Sequence, residues 1–412
     1  MLNDRSLIPE ITPAREGESI HRNRRRTIQT LFGPVYLTRN YHYHNKSGTG
    51  RCPLDDELEL TGAYTPSVVR LICRASVQSG SYQQAGEDLD IYAGLILEHR
   101  NFERLVRKVS PELSESLSQL PPHLPNITEP ISGIPVMYVS CDGTGIPARK
   151  EELEGRKGKQ PDGSARTREA KLGCVFTQSI VDEKGDPVRD PGSTSYVGTL
   201  QGCREAGTLL RQEAFRRGYA HAHKTVYLGD GAAWVWENAR INFPGAVEIL
   251  DFYHAAEHAG DLAHHLWEGA KQKAEGYQER WCKKMKKGSA DSMIQSARRQ
   301  LKERGENMPP EHRATIETQI QYFETNRERM RYGEFRKQGY FIGSGVIEAG
   351  CKTVVGRRMK QSGMFWSETG AEALLSLRCL FLGPYFEASW EARREVVKKK
   401  QRKAQRWSPQ SN

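Results

Sequence analysis

Three apolar runs in the middle of the chain each close on an aspartate: IPVMYVSCD at Asp142, TVYLGD at Asp230 and AVEILD at Asp251. Short apolar runs that stop at turn residues read as buried strands. Between the second and third lies the helical pattern AAWVWENARIN, and REAGTLLRQEAFRRGY precedes the second. LGCVFTQSIVDEKGDP reads as a further strand with a turn, and TSYVGTL as another. Strands followed by alternating helix and strand predict an α/β fold, a mixed sheet with helices on its faces. In such a sheet reactive groups gather where strands end.

That places weight on Asp142 and Asp230, each followed by glycine, and on Glu348, in a helix opened by Gly343-Ser344-Gly345. Aspartates at adjacent strand ends, with a glutamate from a covering helix, can approach within a few Å. Three carboxylates that close repel one another unless cations are bound. Hard oxygen donors suit Mg²⁺, and two such ions about 3.5–4 Å apart serve phosphoryl transfer. Each element also has a plainer reading: an Asp-Gly after a strand is commonly a turn, and a glutamate in a first helical turn favours the helix dipole.

The charge balance points the same way. Of 412 residues, 61 are Lys or Arg against 51 Asp or Glu, a net charge of +10. A basic chain favours a polyanionic partner, nucleic acid first. No stretch approaches the roughly 20 apolar residues of a membrane span. The N-terminal MLNDRSLIPE has no apolar core of a secretory signal, so a cytoplasmic, nucleoid-associated location is expected. The eight cysteines form no C-x-x-C pair and read as free, mostly buried thiols.

Towards the N-terminus, RNRRR (22–26) precedes TIQTLFGPVYLTRNYHYH, which alternates apolar and polar positions around Gly33-Pro34 and predicts a β-hairpin. A helix is expected from YTPSVVRLICRASVQ, with Thr65 as cap and Pro66 in its first turn. YQQAGEDL and LILEHRNFERLVRKV predict two more helices, compatible with a helix-turn-helix or with an ordinary helical bundle. The proline-rich PPHLPNITEP (121–130) reads as a linker. The expected organisation is a DNA-binding region at 1–120, core at 131–255, a charged helical insertion at 256–338, the end of the core at 339–385, and a basic tail at 386–412. The tail's KKKQRKAQR (398–406) is expected to be a disordered arm.

His254-Ala-Ala-Glu257-His258 matches H-x-x-E-H, a zinc-protease pattern. A protease would need a third ligand, for which Glu268 or Glu275 is available, but that reading explains neither the Asp-Gly strand ends nor the charge.

Taken together, CDGTGIP, KLGCVF, RDPGSTSYVGT, YLGDGAAWVW, ILDFYHAAEH and GSGVIEAGCKTVVGRRMKQSGMFWS resemble a bacterial insertion-sequence DDE transposase of the ISKra type, in the Mutator-like superfamily. The resemblance spans roughly residues 130–385 and extends to TLFGPVYLTRNYHY. It implies an RNase H-like core with a helical insertion, and Asp142, Asp230 and Glu348 as catalytic residues holding two Mg²⁺, which Mn²⁺ can replace. It implies that Asp251-Phe-Tyr-His254 is the C/D-x-x-H signature, with His254 and Asp251 beside the metals or positioning DNA. The alternative for His254 is a hydrogen-bonded histidine at a strand–helix junction.

The implied partners are double-stranded DNA, at terminal inverted repeats and target, and a second copy of the chain or more in the synaptic complex. Arg24, Arg25 and Arg26 are expected on phosphates. Arg357, Arg358 and Lys360 are candidates for phosphates near the cut, and Trp366 for stacking on a base or packing in the core. Trp234 and Trp236 are expected to pack a helix onto the sheet. Relatives often carry a zinc ribbon by the hairpin; with only His42, His44 and Cys52 nearby, no zinc is expected. A catalytically inactive or truncated transposase-derived DNA-binding protein is the alternative function.

Overall fold

The computed structural model describes residues 12–121, 136–158, 160 and 163–406. Most of the linker expected at 121–130 lies outside them. The described residues fall into two compact units, one drawn from positions 1–120, 369–381 and 385–412, the other from 121–368 and 382–384.

In the first unit, β1 (Glu18–Thr30) and β2 (Gly33–His44) form an antiparallel hairpin paired from Glu18↔His44 to Thr30↔Gly33. Its two-residue turn is Leu31-Phe32, two residues earlier than the expected Gly33-Pro34, because Gly33 at φ +98° already starts β2. A bulge between His21 and Arg24, with Asn23 at φ 56°, skews the register within the arginine run. β3 (Thr49–Arg51) pairs with the base of β2. Ile28 and Leu37 face inward and pack on Leu54 of the short helix Pro53–Glu57.

Three helices follow, Pro66–Gln78, Tyr82–Ala93 and Phe102–Gln119. Pro66 stands in the first turn of the first, and Ser81 caps the second by accepting the Gln84 N–H at 2.9 Å. Their apolar faces meet in a core of Val68, Ile72, Ala85, Leu89, Leu95, Phe102 and Leu105. The C-terminal residues form one helix, Phe386–Arg406, so 398–406 are helical where an unstructured arm was expected. The helix belongs to this unit because Val396 is fully buried and Arg393 bonds Glu112 at 2.8 Å and Thr61 at 3.1 Å.

The second unit is built on a five-stranded mixed sheet. β4 (Val136–Pro147) and β5 (Thr167–Gln178) pair antiparallel along their whole length. A small ribbon, β6 (Ile180–Val181) with β7 (Pro187–Val188), lies outside the sheet. β8 (Ser195–Thr199) adds antiparallel to β5. β9 (Lys224–Gly229) and β10 (Val247–Leu250) add parallel on the other side, giving the order β10-β9-β4-β5-β8. Parallel neighbours need crossovers, and the helices Cys203–Arg216 and Ala233–Asn242 supply them. Met137, Tyr138, Val139, Leu172, Phe176, Val226 and Leu228 are fully or almost fully buried, which is what apolar runs of this kind require.

The strand-poor, charged stretch after β10 is helical, as its composition predicts: Phe252–Leu266, Lys271–Lys286, Ala290–Arg304, Pro310–Thr325 and Tyr332–Lys337. The helix expected through GVIEAGCKTVVGRRM is interrupted: Gly345–Gly350 is α-helical, Cys351–Gly356 a π-turn, and Arg357–Met359 a last short helix. Among the described residues no helix is long and apolar enough to cross a membrane.

Candidate active site

The parallel pairing of β4 with β9 runs from Val136↔Lys224 to Ser140↔Leu228. Carried on by two residues, that register sets Asp142 level with Asp230 on the neighbouring strand. The aspartates lie close enough to act on each other's charge. Asp230 sits in a tight turn: its Oδ1 accepts the Ala232 N–H at 3.0 Å, and the Tyr322 hydroxyl donates to its carbonyl oxygen at 3.1 Å. Gly231 makes the turn possible, with φ +101° and no room for a Cβ, which would fall 2.7 Å from the Tyr322 ring.

Asp142 is only part-exposed, and burial pushes its carboxyl above the ordinary aspartate range. The Gly143 N–H, 2.6 Å from Oδ1, and the Cys351 thiol, 3.5 Å from Oδ2, work against that rise. The charge of Asp230 adds to it, and His254 opposes it. Neither aspartate has a Lys or Arg ion-pair partner among the described residues.

Asp251 is fully buried and joins two segments. Its Oδ1 caps the helix Phe252–Leu266 by accepting the His254 N–H at 2.8 Å, and its Oδ2 accepts the Ser344 N–H. The Phe252 N–H also donates to the Ile342 carbonyl at 2.8 Å. The Ser344 hydroxyl in turn donates to Glu348 Oε1 at 3.2 Å. A line of hydrogen bonds thus runs from the end of β10 to the candidate glutamate. Glu348 and Cys351 are three residues apart on a helix, hence neighbours on one face, and Cys351 is the residue that touches Asp142.

The three carboxylates therefore do not stand alike. The aspartates act on each other's charge, while Glu348 is engaged by Ser344. Among the described residues no group of three or more His, Cys, Asp or Glu is disposed to hold a metal ion. In donor chemistry the aspartate pair fits a hard divalent cation, being two carboxylates without a Lys or Arg ion pair among the described residues.

The other candidates separate by burial. His254 is half-exposed, with Nδ1 3.5 Å from Glu257 Oε2. His258 is committed elsewhere, stacked on Tyr322 at 3.7 Å between ring centroids with Nδ1 2.6 Å from Gln319 Oε1. Glu268, offered as a zinc ligand, instead pairs with His312 at 3.0 Å. Arg24 and Arg25 are exposed, but Arg26 bonds Asp55 at 3.0 Å and fastens the hairpin to its helix.

Arg357 is exposed, and Lys360 places Nζ 2.5 Å from Oγ1 of Thr144, two residues beyond Asp142. Arg358 and Trp366 are buried, and Trp366 takes the packing alternative of its two readings. Arg358 is 1% exposed, its guanidinium 5.5 Å from the Trp366 ring centroid. Trp366 is 7% exposed, and its Nε1 donates to the Met359 carbonyl at 2.9 Å, so it packs. Trp236 packs as expected, and Trp234 lies under the Lys171 ammonium at 4.2 Å.

Sequence reasoning missed Ser344, Cys351 and Tyr322. The first two carried a signal, at helical spacings of four and three from Glu348. Tyr322 carried none, since its contact with Asp230 spans 92 positions.

Residues 10–157 match an uncharacterised protein family, UPF0236. Comparison with curated proteins gives no match. Among solved structures, the chain is similar to one described as the Drosophila P element transposase strand transfer complex, at 8% identity over 83% of this chain and 82% of that one, with a TM-score of 0.25. A likeness at that level specifies neither fold nor activity.

Proposed function

We propose that the chain is a DDE transposase of the ISKra type, cutting DNA at the ends of a mobile element and joining them to target DNA. The observation that carries this reading is the pair Asp142 and Asp230, set level by the β4–β9 register, close enough to act on each other's charge and without a Lys or Arg ion pair among the described residues. Three antiparallel strands leading into two parallel ones, with crossover helices, support an RNase H-like core. Asp142 and Asp230 would hold Mg²⁺ or Mn²⁺, with Glu348 as the third carboxylate. A pair of such ions, when bound, supplies charge stabilisation for the attacking and leaving oxygens of an in-line phosphoryl transfer.

The chain's own part is positioning. Asp251 fixes the turn before Glu348 through Ser344, and Cys351 keeps that helix against Asp142. Lys360 and Arg357, on the exposed side of the same segment, would take the phosphates flanking the cut. Catalysis of this kind rests on orientation and electrostatics rather than on a covalent intermediate.

The deciding experiment uses Asp230→Ala and a duplex carrying the element's end. The variant is expected to bind that DNA as the parent does and to give no Mg²⁺-dependent nicks. Undiminished nicking would remove Asp230 from the chemistry. One observation favours a second reading, a transposase-derived DNA-binding protein without chemistry: Glu348 is bonded by Ser344, and no group of three or more His, Cys, Asp or Glu among the described residues is disposed to hold a metal ion. A parent protein that binds end DNA and never nicks it would decide for that reading.

A further inference from the structure

The tip of the β1–β2 hairpin exposes what a folded protein ordinarily hides. Phe32 is 99% exposed, Leu31 41% and Tyr36 60%. The tip is ordered: the Thr30 hydroxyl accepts the Phe32 N–H at 3.1 Å and donates to the Gly33 carbonyl at 2.8 Å. A two-residue turn pinned on both sides thus holds a bare phenyl ring at the end of a ribbon.

Behind the tip the ribbon is basic. Arg22, Arg24 and Arg25 are all exposed, and none has a carboxylate partner among the described residues. Arg25 lies over the Tyr36 ring at 4.5 Å, extending the aromatic surface with a cation. Arg26 and Arg39, on the face that the register gives to Arg24 as well, share Asp55, at 3.0 and 2.7 Å, which keeps the ribbon on its helix. The face that carries Asp55's partners thus still leaves Arg24 exposed beyond the anchor, and the opposite face offers Arg25 with the Tyr36 ring.

We infer that this ribbon is a duplex-DNA contact, with Phe32 as a wedge that stacks between base pairs while Arg22, Arg24 and Arg25 grip the backbone. The inference rests on the reading of the chain as a DNA-acting enzyme, and adds to the arginines already expected on phosphates the exposed ring that this reading leaves without a role. Two arguments carry it. The charge is complementary to phosphate. The scale also fits: at about 3.3 Å per residue, the seven positions from Arg25 to Phe32 span roughly 23 Å, near seven base pairs at 3.4 Å each. A two-stranded ribbon is narrow enough for a DNA groove, and apolar side chains inserted at base steps are a known means of kinking duplexes.

The test uses the full chain in EDTA, so that binding is read without cleavage. The probe is a 40-base-pair duplex carrying 2-aminopurine at several positions, followed by anisotropy and by 2-aminopurine emission. The parent should bind and raise the emission, as unstacking does. Phe32→Ala should lose the emission change and weaken binding about tenfold or more, and Phe32→Trp should restore both. Arg24→Ala with Arg25→Ala should lower the slope of log affinity against log salt by roughly 2. Phe32 makes no core contact, so folding is not at issue in its variants. If the parent binds and Phe32→Ala behaves identically, the wedge is refuted and the DNA-acting reading stands. If the parent binds no duplex at all, that reading and the wedge fall together.

Discussion

At the scale of residues, the site turns on how differently its buried acids are satisfied. Asp251 accepts two backbone N–H groups from separate segments. Asp251→Ala leaves both donors buried and unpaired, at about 1–3 kcal/mol each. A fall in urea midpoint of that order is expected, with loss of nicking, whereas Ser344→Ala should spare the midpoint and lower turnover alone. Asp142 is the opposite case, an acid held above its ordinary value of 3.8 by burial. A carboxyl raised on folding contributes stability while protonated, and that contribution is lost as pH rises through its folded value. Asp142→Asn, which mimics the protonated form, should therefore melt higher than the parent at pH 7, with the gap closing near pH 4. A variant melting lower at pH 7 would contradict the account. Mn²⁺ should raise the parent's melting temperature by linkage and leave Asp142→Asn unmoved. Asp230 was legible as a strand end because an apolar run has one place to stop, whereas Asp142 lies within β4, which runs on to Pro147 through its pairing with β5. The bond from Ser344 to Glu348 was not legible, since helical spacing names neighbours but not hydroxyl direction.

At the scale of elements, periodicity found what is periodic. β9 and β10 fall where their apolar runs lie, β4 runs past its own to Pro147, and the helix from Pro66 begins where the proline demands. Departures occur where geometry outside the local pattern decides. The hairpin turns at Leu31-Phe32 because Gly33 was already needed in the strand. The π-turn at Cys351–Gly356 has no period of its own, and such bulges are frequent at functional sites. Gly350 shows why that segment is tightly specified: a Cβ there would lie 2.7 Å from the Tyr196 ring and 3.3 Å from Leu172, side chains on β8 and β5. Gly350→Val is expected to push the Glu348 helix off the sheet, costing about 1–3 kcal/mol by overpacking. Its effect on nicking should exceed that of an equally destabilising change elsewhere in the unit. Equal losses in both would mean that the helix position is irrelevant to chemistry.

At the scale of the whole molecule, the surplus of basic residues predicts salt-sensitive association with polyanions but says nothing of which segments fold together. The basic end of the chain could be read as charged and not as structural, because Arg393 differs from its neighbours only through a partner far back in sequence, Glu112. Removing residues 386–412 should therefore lower the melting temperature of the first unit and not merely its affinity for DNA; an unchanged melt would show the helix to be dispensable. The same pairing has a consequence in time. The helix Phe386–Arg406 packs on Phe102–Gln119, which is synthesised long before it. At 5–20 residues per second the ribosome keeps the two apart for roughly 15–50 s. During that interval the earlier helices wait with an uncovered flank, so a copy cut short by a premature stop anywhere upstream leaves an incomplete N-terminal unit rather than a shorter working protein.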